Sequence, residues 1–128
     1  VARFDIMDQI ESSKPYDYND FLASIDLSGP QGERAQSFLG LFHGIRKMVS
    51  SNLSDDMIIG NLIEHAGLPS DLAKMTLADF NTIKSYIGEY KQGRPFQVQI
   101  DSLSDRMSYL PVLYALILRE YEQGRFPV

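Results

Sequence analysis

Apolar residues in this chain recur at three- and four-residue spacings, and proline or glycine interrupts the pattern at short intervals. That pairing constrains the fold more than any other feature, because it demands several short amphipathic helices with tight turns between them. Ala35, Phe38, Leu39, Phe42, Ile45 and Val49 fall on one face of a helix predicted from about Gly32 to Ser50. Ser28-Gly29-Pro30 breaks the chain before it. Upstream, Phe4, Ile6, Met7 and Ile10 form a short amphipathic stretch that stops before Pro15. Asp17 or Asn19 can cap a second short helix carrying Phe21, Leu22 and Ile25.

The pattern continues downstream. Ser54 opens a fourth helix, with Asp55 and Asp56 in its first turn, where negative charge suits the dipole. Met57, Ile58, Leu62, Ile63 and Ala66 follow, and Gly67 supplies a left-handed stop. Pro69-Ser70 reads as a turn, and Thr76 with Asp79 reads as a capping box for a helix carrying Phe80, Ile83, Ile87 and Tyr90. Gly93 ends that helix. Residues 94–100 alternate, with Phe96, Val98 and Ile100 on one side, which predicts a short extended segment. Ser102 or Ser104 begins the last helical region, with Asp105 as a reciprocal partner for a Ser102 cap. Pro111 belongs in the first turn of the final helix, which runs to Gln123. Leu110, Leu113, Tyr114, Ile117, Leu118 and Tyr121 make nearly every turn of it apolar and predict a central position.

The expectation is an all-α fold, a compact bundle of five to seven helices over residues 1–128 as one domain, with the extended segment near 94–100. The core should draw on Phe21, Phe38, Phe42, Ile45, Ile58, Leu62, Phe80, Ile83, Ile87, Leu113, Ile117 and Leu118. A chain of 128 residues suits one such core. Its first residue is Val, so either the initiator and more were removed or the domain is a fragment of a longer chain.

Composition narrows the function classes. There is no cysteine, which removes disulfides, thiolate zinc sites, iron–sulfur clusters and cysteine nucleophiles together. No apolar run approaches the roughly 20 residues of a membrane span, and no secretory leader is visible. These absences point to an intracellular, cytoplasmic setting and to no membrane. The net charge is −5, and all of the deficit lies in residues 1–64, which hold ten acids and five bases. Such a surface repels phosphate backbones, so the isolated domain is not expected to bind nucleic acid. Lys84, Lys91 and Arg94, with Tyr90 and Phe96, make only a small basic–aromatic patch.

Catalytic and metal patterns are sparse. His43 and His65 have no second histidine three or four residues away, and Glu64 points to a different side of its helix from His65. A hydrolase built on either histidine remains a hypothesis without a nucleophile elbow or a phosphate loop. Gly29-Pro30-Gln31-Gly32 reads as a tight turn. No cofactor or metal is implied.

One internal echo stands out. Glu89-Tyr90-Lys91-Gln92-Gly93-Arg94 recurs 31 residues later as Glu120-Tyr121-Glu122-Gln123-Gly124-Arg125, each followed closely by a phenylalanine, Phe96 and Phe126. Three readings fit: a shared way of capping a helix end, a duplicated unit, or matched Arg–aromatic features that meet a partner. On the third, Arg94, Phe96, Arg125 and Phe126 are candidate partner-binding residues. Phe126 is expected either against the Phe96 segment or in the partner.

Two resemblances add to this reading. From Phe21 through Leu68, with Arg34-Ala35 opening the long helix, the chain resembles the helical 2B subdomain of UvrD/Rep-type superfamily 1 helicases. That implies a nucleic-acid-associated accessory subdomain of a larger ATP-driven enzyme, although this chain carries no ATP-site motif. Gly67-Leu68-Pro69 through Met75-Thr76-Leu77-Ala78-Asp79-Phe80 is similar to a pattern in some phage tail assembly chaperones. With so little catalytic chemistry and a rich Tyr and Met inventory, the leading expectation is a non-enzymatic protein–protein interaction module, such as an adaptor, assembly factor or accessory domain. Its oligomeric state is not readable from the sequence.

Overall fold

The computed structural model describes residues 16–103 and 109–127. Among them the chain forms six helices and no strand: α1 (Tyr18–Ser24), α2 (Pro30–Ser50), α3 (Asp55–Glu64), α4 (Ser70–Lys91), α5 (Phe96–Leu103) and α6 (Leu110–Glu122). The fold is all-α, as the periodicity demands. The amphipathic stretch around Phe4–Ile10, and Ser104 and Asp105, lie outside the described residues.

The helix starts follow local chemistry. The Asp17 carboxylate accepts from the Asp20 amide at 2.8 Å and caps α1. Pro30 takes the first turn of α2, where its missing N–H costs nothing. Gly32 is needed for packing, since a Cβ there would stand 2.3 Å from the Leu27 carbonyl oxygen. Ser54 Oγ accepts from the Met57 amide at 3.3 Å, with Asp55 and Asp56 in the first turn of α3. Gly67, at φ +69°, lets the Leu68 amide donate back to the Leu62 carbonyl at 3.1 Å.

Two expected elements are corrected. The helix predicted from Thr76 starts six residues earlier, at Ser70. Thr76 is not a cap: its hydroxyl donates to the Leu72 carbonyl one turn back, at 2.7 Å. Asp79 is only 2% exposed and accepts from the Tyr109 hydroxyl at 3.3 Å. The helix extends upstream because Ala73, Leu77 and Phe80 already share its buried face. The extended segment at 94–100 is also replaced, by α5. Phe96, Gln99, Ile100 and Leu103 are its buried residues, which is helical spacing, while Val98 stands 48% exposed. The alternation is accidental, because one of the two core positions between Phe96 and Leu103 holds a glutamine, Gln99. Ser102 lies within α5 and donates to the Val98 carbonyl at 3.0 Å rather than capping a helix.

Helix α6 is central. Every residue from Leu110 to Leu118 is buried, and α1, α2 and α5 all pack against it, while α3 joins α2 and α4. Phe38 meets Tyr109, His43 meets Glu120 and Arg46 meets Pro127, so α2 and the α6 segment run in the same direction. Of the residues assigned to the core from sequence, all are buried except Phe21, which is half-buried against it.

Candidate interaction surface

The echo is one capping solution used twice. Gly93 (φ +98°) and Gly124 (φ +76°) turn the chain left-handed after α4 and α6. The next amide then donates five residues back, Arg94 to the Glu89 carbonyl at 3.0 Å and Arg125 to the Glu120 carbonyl at 2.8 Å. Each arginine side chain returns to the same glutamate: Arg94 Nη1 lies 3.0 Å from Glu89 Oε2, and Arg125 pairs with Glu120. The Arg94 guanidinium also lies 5.8 Å from the Tyr86 ring centroid.

The structure therefore separates the four candidate residues. Arg94 and Arg125 are at the surface, with their charges engaged by Glu89 and Glu120. Phe96 and Phe126 are 3% and 2% exposed, so neither ring is offered to a partner in this conformation. Nor do the two rings meet. Phe96 packs edge-on against Phe21 and Tyr18 and stacks on Tyr114. Phe126 turns instead to His43, at a ring distance of 5.4 Å, and to Phe80, at 6.3 Å.

The tail is tied down by polar contacts as well. Arg46 Nε donates to the Pro127 carbonyl at 2.8 Å, and His43 Nε2 lies 3.3 Å from Glu120 Oε1. Partial burial works to raise the Glu120 pKa, but hydrogen bonds from Arg125 and His43 outweigh it and hold the carboxyl below its ordinary range.

The remaining polar groups in the interior serve each other. Tyr114 donates to Gln99 Oε1 at 2.7 Å, and Gln99 Nε2 donates to the Tyr86 carbonyl at 2.7 Å. No buried side-chain nitrogen or oxygen among the described residues lacks a partner. His65 sits at the exposed end of α3, and no group of three or more His, Asp or Glu among the described residues is placed to hold a metal. No described helix is long and apolar enough to cross a membrane.

What the sequence reading missed is a groove between α2 and α3. Gly40, Leu41, Gly44 and Met48 line one wall, and Asn61, Leu62, His65 and Ala66 the other, around about 440 Å³. Asn61 Nδ2 donates to Met48 Sδ at 3.4 Å between the two walls. A Cβ at Gly40 or Gly44 would meet no atom within 4 Å, so neither glycine is required by packing inside the domain. Glycine inside a helix costs roughly 0.5–1 kcal/mol relative to alanine, and two of them one turn apart on an open face were the available signal.

No family model, curated protein or solved structure matches this chain. The residues behind the helicase likeness have packing roles here: the Arg34 guanidinium lies 4.8 Å from the Tyr109 ring centroid and Ala35 is fully buried. Those behind the chaperone likeness span the turn before α4 and its first half.

Proposed function

We propose that this chain is a non-enzymatic helical interaction module that engages a protein partner along the outer face of α2 and its groove with α3. The observation that carries this reading is the groove itself, an apolar channel open to solvent and floored by Leu41, Met48 and Leu62. Helix-in-groove docking uses such a channel, and the missing side chains at Gly40 and Gly44 allow a partner backbone to come close. The buried tyrosines and His43 support it from the other side, because their polar atoms face packed neighbours rather than a common reacting centre.

Partner recovery with the intact chain, compared with a Gly44→Leu variant, tests the proposal. A Cβ at residue 44 meets nothing within 4 Å in the isolated domain, and a leucine there extends from a wall of the groove. The expected result is loss of the partner with no fall in melting temperature, since replacing a helix-interior glycine with leucine favours the helix. Recovery that survives Gly44→Leu but fails in Arg94→Glu with Arg125→Glu would move the surface to the helix ends.

A further inference from the structure

Resting on that reading, we propose that the partner is a second copy of this chain, with α2 paired antiparallel to its counterpart about a two-fold axis at Gly40. The argument is charge complementarity on an unpartnered helix face beside an apolar groove. Glu33, Ser37, Gly40, Gly44 and Lys47 succeed one another at intervals of four and three residues. They therefore share one narrow strip of α2, and all are exposed or half-exposed. Glu33 and Lys47 lie seven residues to either side of Gly40, which is two turns each way. Neither makes an ion pair among the described residues.

Two-fold pairing places residue i of one copy opposite residue 80 − i of the other. Glu33 then faces Lys47 of the second copy, and the same contact repeats on the other side of the axis. Gly40 meets Gly40, where the absence of a Cβ lets the two backbones approach. Leu41 and Met48, on the groove side of the strip, are covered by the incoming helix. Parallel pairing in register would instead set Glu33 against Glu33 and Lys47 against Lys47. The chain's own charge thus selects the antiparallel arrangement. The net charge of −5 per copy opposes association at long range, but at 0.15 M salt that repulsion is screened beyond roughly 8 Å. One helix pair is a small interface, so a dissociation constant of roughly 1–100 µM is expected.

Sedimentation velocity on the intact chain and three variants, from about 5 to 500 µM, decides it. Glu33→Lys alone and Lys47→Glu alone each put like charges opposite one another and should weaken the dimer at least tenfold. The double exchange, Glu33→Lys with Lys47→Glu, restores opposite charges and should recover most of the loss. The two positions are 14 residues apart, about 21 Å along one helix, so recovery can arise only between copies. A chain that stays monomeric at 500 µM overturns the proposal, as does a dimer indifferent to both single exchanges. A monomer whose partner recovery is still lost in Gly44→Leu sinks self-pairing alone and leaves the interaction reading standing.

Discussion

Tyr114 donates its phenolic proton to Oε1 of Gln99 across 2.7 Å inside the core, joining α6 to α5. Gln99 in turn donates to the Tyr86 carbonyl of α4, so one buried pair fixes the relative position of three helices. Tyr114→Phe leaves the glutamine oxygen without its donor in a dry site and should cost about 1–3 kcal/mol in urea unfolding. Gln99→Leu combined with Tyr114→Phe should cost less than the two single changes added together, because the orphaned group is gone.

The same hydroxyl predicts an alkaline response. Burial, helped by neighbouring Tyr90 and Glu89, pushes the Tyr114 pKa well above its ordinary range. A pKa raised by folding contributes stability that is fully present below the unfolded value, about 10, and is lost as pH rises above it. Unfolding free energy should fall above about pH 10, and the fall should be shallower in Tyr114→Phe. Equal slopes in the two proteins would contradict the assignment.

Glu120 predicts the acid limb. Its carboxyl is held below the ordinary range by Arg125 and His43, against the opposing effect of burial. A depressed pKa contributes stability that is present above the unfolded value, about 4.3, and lost as pH falls through the folded one. Acid unfolding followed by circular dichroism should therefore be less steep below about pH 4 in Glu120→Gln than in the parent chain.

Two glycines should respond oppositely to alanine. Gly32→Ala drives a Cβ into the Leu27 backbone, which cannot swing aside as a side chain could, and should destabilise by more than 1 kcal/mol. Gly88→Ala, inside α4 with nothing within 4 Å of the new methyl, should stabilise by about 0.5–1 kcal/mol. Chemical denaturation of both variants checks the sign.

Phe126 tests whether the tail belongs to the fold. Its ring is buried against His43 and Phe80, and truncation of a buried phenylalanine typically costs about 3–5 kcal/mol. Phe126→Ala should lower the urea midpoint by a corresponding amount. A shift below about 0.5 kcal/mol, the size expected of a surface change, would show that the tail is not integral.

The helices and most of the core were legible because Phe42, Ile45, Ile83 and Ile117 repeat with helical spacing and each needs burial. Helix α5 was not, since its central core position is a glutamine that becomes buried only when Tyr114 and the Tyr86 carbonyl complete it. The start of α4 was hidden by Thr76 and Asp79, which mimic a cap locally but are claimed by Leu72 and Tyr109. The echo was legible as capping, yet the burial of Phe96 and Phe126 depends on residues brought in from α1, α2 and α4. The groove escaped notice because a glycine on an exposed helix face leaves no apolar signature, and Leu62 joins it only through the α2–α3 turn.

The proposed meeting surface is the outer face of α2, and the proposed partner is a second copy of the chain. The natural chain has no cysteine, so a single Gly40→Cys substitution creates one unambiguous reporter. In the single domain a Cβ at residue 40 meets nothing within 4 Å, and residue 40 lies on the proposed axis, where the two introduced sulfurs face each other. Mild oxidation at 50 µM should give a disulfide-linked dimer in high yield, while Met57→Cys, also exposed but on α3, gives little. Equal yields from the two sites, or no dimer from position 40, would contradict the account.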